Sequence, residues 1–152
     1  MTAIFLLVLA VSLVAVPTAS AKKPPSFALW SARESNYQDS VFGPLENGCK
    51  KLGDSKGGAC LAKGLMIEYP KLGAHWSAGL ARIAKPQTAA CKKAIHAYFV
   101  ASTKHVAALE LYVKAHQHAH WSQILSDLNS EPYATLGQVK DEAKSHAVRV
   151  CG

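Results

Sequence analysis

Residues 88–116 read TAACKKAIHAYFVASTKHVAALELYVKAH, and this stretch decides the fold. Its apolar positions are Cys91, Ile95, Tyr98, Val106, Leu109 and Tyr112, in steps of three or four apart from one wider gap across Ser102. That spacing lays one buried seam along a single long helix, from about Thr88 to about His116. Working outward, the rest of the chain reads the same way. Ala, Leu, Lys and Glu are plentiful, and strand-like alternation of β-branched residues is missing. Upstream, helices are expected over about Phe27 to Phe42, with Ser26 as N-cap, then Leu45 to Leu52, Gly58 to Tyr69 and Leu72 to Ala84. Gly43-Pro44, Pro70 and Pro86 serve as the breaks. Downstream come Trp121 to Leu128, a turn at Asn129-Ser130-Glu131-Pro132, and a last helix over Thr135 to Val150. The expected class is all-α, a bundle of about six helices.

The first residues say where that bundle works. Ile4 to Val16 is apolar apart from Ser12, Pro17 breaks the run, and Ala19-Ser20-Ala21 has the small-x-small pattern of a signal-peptidase site before Lys22-Lys23. The run is too short for a membrane span of about 20 residues. No Lys or Arg precedes it, which is atypical, and no lipid-anchoring Cys follows the cleavage site. Residues 1–21 are therefore read as a signal peptide and residues 22–152 as one helical domain, secreted or periplasmic, with no transmembrane segment once the signal is removed.

An exported chain with four cysteines, Cys49, Cys60, Cys91 and Cys151, is expected to carry two disulfides. Three connectivities are open. Cys49 and Cys60 flank Gly53-Asp54-Ser55-Lys56-Gly57-Gly58, which reads as a tight loop between helices, so a local Cys49–Cys60 bridge with Cys91–Cys151 is the preferred map. The spacings fit neither a zinc pattern nor covalent haem attachment.

The formal net charge of +7 falls wholly on residues after the signal, and Lys supplies most of it. A basic exported protein is drawn to anionic polymers, lipid headgroups or other cell-envelope components. Clustered Arg with interleaved aromatics, the mark of nucleic-acid readout, is absent from the sequence. So are the Gly-x-Ser-x-Gly elbow, His-Glu-x-x-His and the phosphate-binding Gly loop.

Two patterns compete within this frame. In the first, every Trp is followed by Ser, at Trp30, Trp76 and Trp121, and Ala74-His75-Trp76-Ser77 recurs as Ala119-His120-Trp121-Ser122. Pro-x4-Cys-Lys-Lys also occurs twice, ending at Lys51 and Lys93. A spacing of about 45 residues suits three helical-hairpin repeats with each Trp as a core anchor.

In the second, Ala32-Arg33-Glu34-Ser35-Asn36-Tyr37 resembles the catalytic-helix ending of lytic transglycosylases, lysozyme-like enzymes that cut peptidoglycan strands. Gly64-Leu65-Met66, Pro86, the segment Ala107 to Tyr112 and the tail Asp141 to Val150 are similar to further markers in the same order. The resemblance implies Glu34 as the sole acid/base, in a groove lined by Met66 and Tyr112. A carboxyl raised in pKa by an apolar cleft would protonate the glycosidic oxygen. Ile67 and Val113 stand where the family has Gln and Asn.

Seven histidines include the cluster His116, His118 and His120. On a helix His116 and His120 share one face and would chelate Zn²⁺ or Cu²⁺, while His118 points away. His105 and Tyr112 on the same helical stripe would extend this to a haem or copper site. The absence of an acidic or Cys ligand nearby in sequence favours a plain wet helix end, so no cofactor is expected. The functional expectation is a non-enzymatic binding protein with a basic surface for an anionic partner. The alternatives are a diverged lysozyme-like domain acting on or binding peptidoglycan, and a metal or haem carrier.

Overall fold

The computed structural model describes residues 25–86 and 88–151, so the signal reading of residues 1–21 lies outside them. Five helices follow in order: α1 (Phe27–Lys50), α2 (Asp54–Leu80), α3 (Ala89–Ala115), α4 (Trp121–Leu128) and α5 (Tyr133–Cys151). No strand occurs among the described residues. None of these helices is long and apolar enough to cross a membrane.

α1 and α2 form an antiparallel hairpin whose register is legible contact by contact. Cys49 bonds to Cys60, Leu45 lies over Gly64, and Phe42 packs on Tyr69. Further along, Glu34 meets His75, and Trp30 lies against Gly79 so closely that a Cβ there would collide with its indole. Ser26 caps α1 by accepting from Leu29 N.

The expected breaks at Pro44 and Pro70 do not occur; both prolines lie inside long helices, so the described residues form five helices where about six were expected. An interior proline removes one backbone bond and crowds the preceding turn. Packing outweighs that here. Beyond Pro44, Cys49 is 1% exposed and disulfide-bonded, which holds the last turns of α1 on α2. Across Pro70 one seam runs unbroken through Leu61, Leu65, Tyr69, Leu72 and Trp76, all buried. The Gly53–Gly58 stretch is likewise not a loop throughout. Only Gly53 has a left-handed backbone, φ +80°, and α2 has begun by Asp54. Gly57 and Gly58 are the points of close approach: a Cβ on Gly58 would strike the Ala119–Trp121 backbone.

The seam read on α3 is buried as expected at Cys91, Tyr98, Val106, Leu109 and Tyr112, with Ile95 half-buried. Ser102, almost fully buried, fills the gap in it. Thr88 caps this helix by accepting from Cys91 N. Four long helices, α1, α2, α3 and α5, pack in a ring in which each touches the next. The α3–α5 contact is the most extensive, and the small buried residues Ala94, Ala101 and Ala147 allow their backbones to approach. Cys91–Cys151 ties the start of α3 to the end of α5, at the opposite end of the bundle from Cys49–Cys60.

α4 closes the Cys49–Cys60 end against α2 and α5. Its fully buried anchor is Ile124, while Trp121, Leu125 and Leu128 are half-buried, so the third Trp is not the core residue expected. The three-hairpin repeat also finds no counterpart. Trp30 lies in the first turns of α1, Trp76 near the end of α2, and Trp121 opens the short α4. The two Cys-Lys-Lys words fall at the end of α1 and the start of α3. Identical words thus occupy non-equivalent places.

Candidate functional site

Glu34 sits two turns into α1, where the hairpin register turns it inward. Its side chain is 2% exposed, and its Oε2 lies 3.0 Å from His75 Nε2 on α2. His75 is half-exposed and stacks on Tyr37, ring centroids 3.8 Å apart and nearly parallel. A buried carboxyl is tolerated only when neutral or paired, and His75 is the side chain that Glu34 Oε2 meets. Glu34 Oε1, Trp76 Nε1 and Ser102 Oγ are buried without a hydrogen-bonding partner among the described residues.

The groove expected around Glu34 is not formed by the residues the resemblance implies. Met66 lines a small cavity with Lys63, Gln117 and His118 at the α4 end. Tyr112 donates to Asp127 at 2.8 Å and packs edge-on against Tyr133. Both sit toward the opposite end of the bundle from the Glu34–His75 pair. The pair joins α1 to α2, with the Tyr37 ring stacked on His75.

The histidine cluster is dispersed by the end of α3. His116 is the C-cap, its Nδ1 2.9 Å from Tyr112 O and its ring stacked on Tyr112. His120 precedes α4 and bonds through Nδ1 to Asp54 Oδ2 at 2.9 Å. His118 lies exposed in the turn between them. No three His, Cys, Asp or Glu side chains are grouped to hold a metal ion among the described residues.

Asp54 accepts from Ser122 N at 2.8 Å and from Ser122 Oγ at 3.2 Å, so a carboxylate from α2 caps the start of α4. The Ser122 backbone bond, chiefly, holds Asp54 below the ordinary carboxylate value of about 3.9. A depressed folded-state value means that this stabilisation is full above about pH 4 and is lost as pH falls through the lower value. Acid titration followed by hydrogen exchange should therefore show α4 amides losing protection only below about pH 4, and Asp54→Ala should expose them already at neutral pH.

Two larger cavities remain. One, of about 950 Å³, lies between His105 of α3, the end of α4 and much of α5, and carries both signs of charge, Lys140 and Arg149 with Asp141 and Glu142. The other, of about 490 Å³, is bounded by the end of α2 and the first half of α3. Its walls are Leu80, Ile83, Ala84, Ile95 and Phe99, with Lys85, Lys92 and His96 at the rim. No acidic residue lines it among the described residues.

Sequence reasoning placed Glu34 as a residue of interest but missed His75, because the pair joins two helices through a register that no local spacing encodes. The repeated Ala-His-Trp-Ser word was the only signal at His75. It also missed the α2–α3 cleft, whose one local trace is the Ile95, Phe99 pair beside the Lys92, His96 pair, each one turn apart on α3. No protein-family model, curated protein or solved structure matches this chain.

Proposed function

We propose that this chain is an exported, non-enzymatic binding protein that holds an anionic partner of the cell envelope on its basic surface. The observation that carries this reading is an asymmetry in how the charges are used. Three acidic side chains are spent on the fold: Glu34 on His75, Asp54 on α4, and Asp127 on Tyr112 and Gln123. Basic side chains are mostly turned out. Lys50, Lys51 and Lys56 stand exposed at the α1–α2 turn, and Lys92 and Lys93 at the start of α3. Lys71–Glu68 and Lys140–Asp141 are paired at the surface, where such bridges contribute little. Among the described residues, these lysines put a basic excess on the surface.

Co-sedimentation of residues 22–152 with an insoluble anionic cell-wall polymer tests the reading. The chain is expected to pellet with the polymer and to release no soluble glycan. Release of glycan fragments that stops in Glu34→Gln would overturn the non-enzymatic reading, since the amide cannot donate the proton a leaving oxygen needs.

A further inference from the structure

Resting on the anion-binding reading, we propose that the α2–α3 cleft binds a free single-chain amphiphile, its apolar tail in the cleft and its carboxylate or phosphate head at Lys92 and His96. The cleft volume of about 490 Å³ is in the range of small-molecule sites, about 300–1,000 Å³. Its floor is aliphatic and aromatic: Leu80 from α2, Ile83 just beyond it, and Ile95 and Phe99 from α3. These side chains are half-buried, so a tail laid over them removes further apolar surface from water.

The charge is complementary and directional. Lys92 and His96 stand one turn apart on the same helix at one edge of the cleft, and Lys85 adds a further rim cation. The neighbouring cavity, which shares Ser77 and Phe99 with the cleft, is lined by Glu110 at its far side. An anionic head is drawn to the Lys92 end and repelled from the Glu110 side. The tail then points along the α2–α3 interface from Ile95 toward Phe99. A neutral apolar ligand would meet the same floor but gain nothing from the rim, and a polyanion would meet the rim but leave the floor wet. The combination fits a molecule with both parts.

Calorimetric titration of residues 22–152 with saturated fatty-acid anions, kept monomeric, tests this. Saturable one-to-one binding is expected, tightening roughly three- to fourfold per added methylene. The matching fatty alcohol should bind about tenfold or more weakly, the scale of one charge-assisted hydrogen bond. Lys92→Gln should remove that difference, and Ser77→Phe, at an exposed position on the cleft wall, should block binding while leaving the melting temperature unchanged. Equal affinity for acid and alcohol, or an unchanged preference in Lys92→Gln, would overturn the head-group assignment. Binding only to anionic vesicles, with none to monomer, would overturn the cleft as the site. If fatty-acid anions do not bind but the chain still pellets with the anionic polymer, the cleft proposal fails and the basic-surface reading stands; if neither occurs, both fail.

Discussion

Replacing Cys91 and Cys151 together by Ser is expected to lower stability by about 4 kcal/mol, more than the loss of about 3 kcal/mol for the Cys49, Cys60 pair. The difference follows from the chain enclosed. Cys91 and Cys151 are 60 residues apart in sequence, whereas Cys49 and Cys60 are 11 apart. The entropy removed from the unfolded chain rises with the logarithm of loop length. The structural consequences differ too. Cys91–Cys151 joins the ends of α3 and α5, the most extensive helix contact, and without it the end of α5 is held by Ala147 and half-buried neighbours. Cys49–Cys60 joins adjacent ends of one hairpin, which Leu45, Phe42 and the Glu34–His75 pair also hold. Chemical denaturation of the two double variants measures both values. Equal losses, or a larger one for the short loop, would contradict this ranking.

Trp76→Ala is expected to cost about 3–5 kcal/mol, whereas Trp76→Phe should cost less than about 1.5 kcal/mol. Trp76 is 4% exposed and ends the buried seam of α2. It also walls the cavity shared with Phe99 and Val106, so truncation to Ala enlarges a space that already exists. Its Nε1 is buried without a hydrogen-bonding partner, so Phe keeps most of the ring and removes a group that gains nothing from burial. A loss in Trp76→Phe as large as in Trp76→Ala would show that the indole nitrogen is satisfied in solution.

The helical class and α3 were legible because the chain encodes them locally. The steps from Cys91 to Tyr112 mark a face, Thr88 can cap it, and both signals fall within one helix. Pro44 and Pro70 misled because each was weighed as a terminator alone, whereas the break at Pro86 does separate α2 from α3. The competing signal was present: the steps Leu61, Leu65, Tyr69, Leu72 and Trp76 continue at three and four across Pro70. Contacts such as Leu45 on Gly64, which hold α1 past Pro44, belong to the fold and not to any window of sequence. The Trp-Ser words misled for the opposite reason, since short identity carries no information on place in a bundle. The site was less legible still. Glu34 and His75 become neighbours only through the hairpin register, and the cleft exists only once α2 and α3 lie side by side.

In the proposed reading, binding is done by the positive charge of the surface. The most direct measurement is the dissociation constant of residues 22–152 for a soluble polyanion across a salt series. Raising ionic strength from about 0.01 M to about 1 M shortens the screening length from about 30 Å to about 3 Å. The dissociation constant is expected to rise steadily over that range, and to rise less steeply when Lys50, Lys51 and Lys56 are changed to Gln. A dissociation constant that does not change with salt, or no binding at the lowest salt, would contradict it.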